Sequence, residues 1–327
     1  MEHRFMDLTP RKRTKYDLST AAMELYYPCM LRSILILMLA LPAGLAAETG
    51  VPAWVIRLPE TTRTVFIAET SSSSYHRFER DGDAVTHVGR DYMSIGLGGV
   101  GKQRAGDQRT PLGIYFVTEQ LDTERLHEKY GVTAFPLDYP NAWDRRSGRG
   151  GSGIWVHGVD PDGGRRPPLD TDGCIALPNE RLRELEALFQ PNVTPVLIGE
   201  EIAWAEAAAV AATRESLEKS VEQWARALER GDMVTWLDLY DSTFEHLGLD
   251  KAAWTSFSLQ AFGQRPVRTV HVSELLLLGD PVEEDLFLSR FRLEVVEQDG
   301  RRVVSVRRLY WRQGVDGAFR IVAQDAG

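Results

Sequence analysis

Apolar residues follow two rhythms along this 327-residue chain. From Thr64 to Ile198 they come in short runs rich in β-branched and aromatic side chains, punctuated by turn residues, which is a strand pattern. Thr64–Ala68, Tyr75–Arg80, Ile114–Thr118, Ile154–His157 and Thr194–Ile198 are the strand candidates, with turns at Asp81-Gly82-Asp83 and through Gly96 to Gly101. Helical spacing occurs at Asn179–Phe189, where Leu182, Leu185 and Leu188 share a face and Asn179 is the cap candidate. Residues 60–200 therefore read as a mostly-β domain with long glycine-rich loops.

After Gly199 the rhythm changes. Residues 201–213, rich in Ala and Glu, suit a helical connector. Leu217, Val221, Trp224 and Leu228 predict an amphipathic helix over Ser216–Arg230, ended by Gly231-Asp232, and Met233–Tyr240 reads as a second helix. Val267–Leu278, Leu286–Glu297, Arg301–Trp311 and Ala318–Ala323 are strand candidates, separated by Gly279-Asp280-Pro281, Asp299-Gly300 and Asp316-Gly317. Helices followed by antiparallel strands make residues 214–327 a smaller α+β domain.

The N-terminus has a different pattern. Ile34–Leu41 is an unbroken apolar run after Arg32 and before small residues, so residues 1–46 read as an N-terminal extension and signal peptide cut after Ala46. The run is well short of the ~20 apolar residues that span a bilayer. Both Met1 and Met30 are plausible starts, the second giving a signal of ordinary length.

Charge and cysteine content narrow the chemistry. With 38 Lys+Arg against 47 Asp+Glu the net charge is −9, and removing residues 1–46 leaves 32 against 43, or −11. No basic surplus is present to neutralise phosphates, so nucleic acid is not an expected partner. The two cysteines, Cys29 and Cys174, exclude a disulfide-rich scaffold and any cysteine-based zinc module. Processing removes Cys29. Cys174 is then a lone thiol in an oxidising compartment, either buried and inert or kept for its reactivity.

Its surroundings favour reactivity. Ile154-Trp155-Val156-His157-Gly158 ends a strand, and Thr171-Asp172-Gly173-Cys174-Ile175 follows a loop containing Asp162 to Pro168. A histidine at a strand end and a cysteine after a glycine-rich loop can meet. The imidazole then activates the thiol and later returns the proton to a leaving amine. Glycine beside the cysteine permits close backbone approach, and its N–H groups can face an oxyanion. No step requires a metal or cofactor.

Thr110-Pro111-Leu112-Gly113-Ile114-Tyr115, His157-Gly158 and Thr171-Asp172-Gly173-Cys174-Ile175, with Asn179, resemble the L,D-transpeptidase catalytic domain (YkuD) family over about residues 60–200. The resemblance implies a β-sandwich-like fold and action on peptidoglycan stem peptides. It implies Cys174 as nucleophile, His157 as base oriented by the Gly158 carbonyl, Gly173 and Cys174 as oxyanion donors, and Thr171 in the motif's hydroxyl position. Many family members have His where Asp172 stands and Arg where Ala176 stands. The missing Arg leaves substrate contact to Arg145, Arg146, Arg149, Arg165 and Arg166, with Asn179 beside them. Asp-Gly-Cys plus a second domain is similar to the branch containing cell-shape L,D-carboxypeptidases, and residues 214–327 resemble an NTF2-like module. That module is open to a homodimer contact or a cell-wall protein partner. The signal peptide implies export across the inner membrane to the periplasm, with an uncleaved membrane anchor as the alternative. Direct cross-linking of two stems, hydrolysis to tripeptide, cleavage of a protein–peptidoglycan link and non-catalytic cell-wall binding are the activities left open.

Overall fold

The computed structural model describes residues 50–122, 124, 126–161 and 166–327. The signal-peptide reading of residues 1–46 and the loop position Arg165 lie outside the described residues. Among those described, no helix is long and apolar enough to cross a membrane.

The central element is a five-stranded sheet in the order Ala84–Tyr92, Ser74–Asp81, Thr64–Glu69, Pro195–Gly199, Gly113–Phe116. The runs Thr64–Glu69, Pro195–Gly199 and Gly113–Phe116 are almost continuously apolar because both faces are covered, as in sheets sandwiched between layers, while the edge strand Ala84–Tyr92 is polar and largely exposed. Phe66, Ala68, Tyr115, Val196 and Ile198 point to one core, shared with Phe135, Val156 and Ile175. The alternate residues Val65, Ile67, Ile114, Phe116 and Leu197 point to another, shared with Leu276, Leu278, Leu286, Leu288 and Tyr310.

The first core is closed by a three-stranded sheet, Ile175–Ala176, Trp155–His157 and Ala134–Pro136, and by the helix Asn179–Leu185 with its buried Leu182 and Leu185. The second core is closed by a seven-stranded sheet: Leu249–Asp250, Tyr240–His246, Phe319–Ala326, Arg302–Gln313, Leu286–Glu297, Val267–Gly279 and Val55–Arg57. The far face of that sheet packs Leu277, Phe291, Leu309 and Trp311 against Leu217, Val221, Trp224 and Leu228 of the helix Ala207–Arg230. The protein is thus a strand-rich stack of a small sheet, a central sheet, a large sheet and helices.

Four expectations need amending. The Ala/Glu-rich segment and the amphipathic helix are one element, Ala207–Arg230, because no breaker separates them; ahead of it Trp204–Ala205 pairs with Val51–Pro52. Val55–Arg57 lies before the first domain in sequence yet pairs with Val267–Gly279 of the large sheet. The helix Lys251–Gln264, capped by Asp250 accepting from Ala253 N at 2.8 Å, has no apolar stripe to announce it: Trp254 is buried while Phe257 and Leu259 are exposed. Finally, Asn179 is no cap. The helix starts after Pro178 with no side-chain cap bond, and the Asn179 amide is used elsewhere.

Candidate active site

His157 ends the middle strand of the small sheet, where Ile175 lies opposite Val156 and Ala176 opposite His157 in parallel register. Two-residue alternation then puts Cys174, Trp155 and His157 on one face. Both candidate side chains are covered, His157 being 3% and Cys174 7% exposed.

The imidazole has a fixed tautomer. Its Nδ1 lies 2.6 Å from the Gly158 carbonyl oxygen, which can only accept, so Nδ1 carries the hydrogen and Nε2 keeps its lone pair. The carbonyl is held in turn by Asn179, whose Oδ1 accepts from Val159 N at 3.0 Å and whose Nδ2 donates to Val159 O at 2.8 Å. A Cβ on residue 158 would stand 2.2 Å from Asn179 Oδ1, so glycine is required by close approach. Asn179 is therefore a clamp on the Gly158–Val159 peptide that holds the His157 ring.

The cysteine loop is braced by two threonines. Thr171 Oγ1 donates to Cys174 O at 2.7 Å and accepts from Gly173 N at 3.1 Å. Thr110 Oγ1 donates to Gly173 O at 3.0 Å and accepts from Gly96 N at 2.9 Å, which explains why a Thr-Pro-x-Gly element accompanies the Gly-Cys pair. Gly173 has φ +123°, and a Cβ there would lie 2.6 Å from Arg109 O. Its N–H is already committed to Thr171, so Gly173 is not an oxyanion donor in this geometry.

Electrostatics leave both groups uncharged at neutral pH. Burial pushes the Cys174 thiol up to about 11, opposed by the Trp155 backbone N–H bonded to the sulfur and by the charge of Lys129. Burial also pulls His157 down to about 4, against the support of its Gly158 bond. The thiol donates to Gly153 O at 3.4 Å.

The arginines divide. Arg149 donates to the buried Asp144 at 2.8 Å, Arg146 to Thr243 O at 2.6 Å, and exposed Arg145 to Pro140 O, so all three are committed away from the thiol. Arg166 stands nearer: its charge opposes protonation of His157, and its Nη1 pairs with Asp170 at 3.3 Å.

Three neighbours carry no sequence signal. Tyr130 meets the His157 ring edge-on at 5.2 Å and packs on Trp155 at 4.7 Å. Lys129 Nζ pairs with Asp172 Oδ2 at 3.1 Å, and Gln108 Nε2 donates to Asp172 Oδ1 at 3.4 Å. Among the described residues no group of His, Cys, Asp or Glu is arranged to hold a metal ion.

A strand-rich scaffold here presents a His-Gly strand end beside a Thr-x-Gly-Cys loop. Residues 64–198 match the family model of the L,D-transpeptidase catalytic domain (YkuD) and are a domain of that family. The fold over most of the chain is similar to Bd1075 of Bdellovibrio bacteriovorus, with a TM-score of 0.70 at 24% identity, covering 85% of this chain and 99% of that one. It is equally similar to the helical cell shape determining protein Pgp2 of Campylobacter jejuni, with a TM-score of 0.71 at 22% identity, covering 85% and 96%. Comparison with curated proteins finds no match.

Proposed function

We propose that this protein is an exported L,D-transpeptidase that remodels peptidoglycan through a Cys174 thioester. The observation that carries the reading is the 2.6 Å bond fixing His157 Nδ1–H on Gly158 O, which leaves Nε2 free to accept a proton on the face shared with the thiol.

Because thiol and imidazole are both neutral at rest, the proton moves as the bond forms. Cys174 Sγ attacks the carbonyl carbon at the L-centre of the diamino acid in a tetrapeptide stem, and its proton passes to His157 Nε2. The developing oxyanion faces the Cys174 N–H, since Gly173 N–H is engaged with Thr171. Imidazolium then protonates the terminal D-Ala nitrogen, the C–N bond breaks and D-Ala leaves. His157 next takes a proton from the acceptor amine of a second stem, which attacks the thioester carbonyl and forms a direct cross-link; as the C–S bond breaks, the imidazolium returns the proton to Cys174 Sγ. With water as acceptor the same thioester yields tripeptide, an L,D-carboxypeptidase reaction. Similarity to a cell-shape-determining protein supports a role in cell shape.

The test is incubation with disaccharide-tetrapeptide, with products read by mass. Cross-linked dimer is expected. Tripeptide alone redirects the reading to the carboxypeptidase, and neither product, or full activity in Cys174→Ala, overturns it.

A further inference from the structure

The residue that would recognise a stem carboxylate in place of the absent motif arginine is found on another element. We propose that Lys129 is the carboxylate-binding residue of the site and that Asp172 occupies it in the free protein as an internal stand-in; this rests on the thioester reading above.

Placement comes first. Lys129 stands on the single turn Glu128–Tyr130, anchored by Lys129 N donating to His127 Nδ1 at 3.2 Å. The next residue, Tyr130, walls the site by its contacts with His157 and Trp155, and the Lys129 ammonium lies 5.2 Å from its ring centroid. Asp172, the partner of Lys129, is two residues before the nucleophile. The cation therefore stands beside the cysteine loop and the wall of the site, and its charge acts on both Cys174 and His157.

Availability comes second. Lys129 and Asp172 side chains are 41% and 69% exposed, so their pair is screened and cheap to exchange for another carboxylate. By contrast Arg149 is locked to a carboxylate that is 1% exposed. Arg166 repeats the arrangement beside it: Nη1 holds Asp170, and Nη2 donates to Lys129 O at 3.5 Å, steadying the turn.

Chemistry supplies the occupant. A tetrapeptide stem brings carboxylates on either side of the scissile bond: the terminal carboxylate of the departing residue and the side-chain carboxyl of the diamino acid. A substrate carboxylate replacing Asp172 keeps the charge balance of the site and draws the scissile carbonyl toward Cys174.

The experiment measures tetrapeptide binding by calorimetry to full-length Cys174→Ala protein, which needs no turnover, and steady-state kinetics on the intact nucleophile. Lys129→Met is expected to weaken binding tenfold or more and to raise KM by a similar factor, with kcat changed less than threefold; Lys129→Arg restores most of the loss. Asp172→Asn, which removes the competitor, is expected to tighten binding. Two substrates, one amidated at the terminal carboxyl and one at the diamino acid carboxyl, identify the source: the sensitive one loses affinity for the parent protein and loses nothing further with Lys129→Met. Equal losses on all substrates, a fall in kcat at unchanged KM, weaker binding by Asp172→Asn, or no stem binding would overturn the proposal. Lysine-dependent binding without turnover would instead overturn the thioester reading alone.

Discussion

His157 and Cys174 are each displaced by burial in the direction that removes charge, so the pH dependence of catalysis has a definite sign. Below about 4 the imidazole is protonated and cannot accept from the thiol. Above about 11 the thiol is already ionised and no proton is available for the leaving amine. The profile of kcat/KM should be a broad bell with limbs near those values, measured by product formation across pH 3–11.5; limbs between 6 and 8 would indicate a resting thiolate–imidazolium pair instead. Asn179 gives a second residue-scale expectation. Asn179→Ala strips partners from Val159 N and O, at a cost of roughly 1–3 kcal/mol in urea unfolding. Because the amide holds the peptide that orients His157, the proposed base, kcat should fall at least tenfold while KM moves little.

Element behaviour follows from coverage. In the strand Thr64–Glu69, Phe66 and Ile67 face different cores and neither is exposed. Phe66→Ala and Ile67→Ala should therefore each cost about 2–5 kcal/mol in urea unfolding, whereas a half-solvated strand would tolerate one of them. The same coverage explains what the sequence discloses. Apolar runs bounded by Gly, Pro and Asp mark the central strands within two residues, since burial on both faces there leaves little polar alternation to confuse. Val267–Gly279, Leu286–Glu297 and Arg302–Gln313 are also placed within two residues, while Phe319–Ala326 runs three residues past its expected end. The candidate pair is legible because His-Gly and Gly-Cys each combine a chemical group with a glycine that the geometry requires. Lys129, Tyr130 and Gln108 are not legible: their roles come from loop packing around the strand ends, which leaves no period. Lys251–Gln264 fails for a related reason, its aromatic residues being spread around the helix rather than aligned.

At the scale of the whole molecule, the second core makes the central sheet and the large sheet interdependent. Phe116 lies beneath Arg308 and Arg290 of the large sheet, at 4.7 and 5.6 Å from its ring centroid. Arg308 also pairs with Asp138 and, at 3.7 Å, with Asp325. Arg308→Met would leave these two carboxylates buried without their cation, at an expected cost of about 3–5 kcal/mol, and should lower the denaturant midpoint without splitting the transition. A chain ending at Gly199 would expose Val65, Ile67, Ile114, Phe116 and Leu197 to water and is expected to aggregate, while residues 47–327 should unfold in one calorimetric step. The shared core has a mechanical consequence. Parts joined by a broad apolar interface do not hinge as loosely docked domains do. The large sheet cannot swing over Cys174 as a lid, so admission of substrate falls to the loops at the strand ends. Whatever the C-terminal surface touches is held at a constant offset from Cys174, and under the proposed function the protein would work as a rigid gauge that fixes where along a polymer its chemistry takes place.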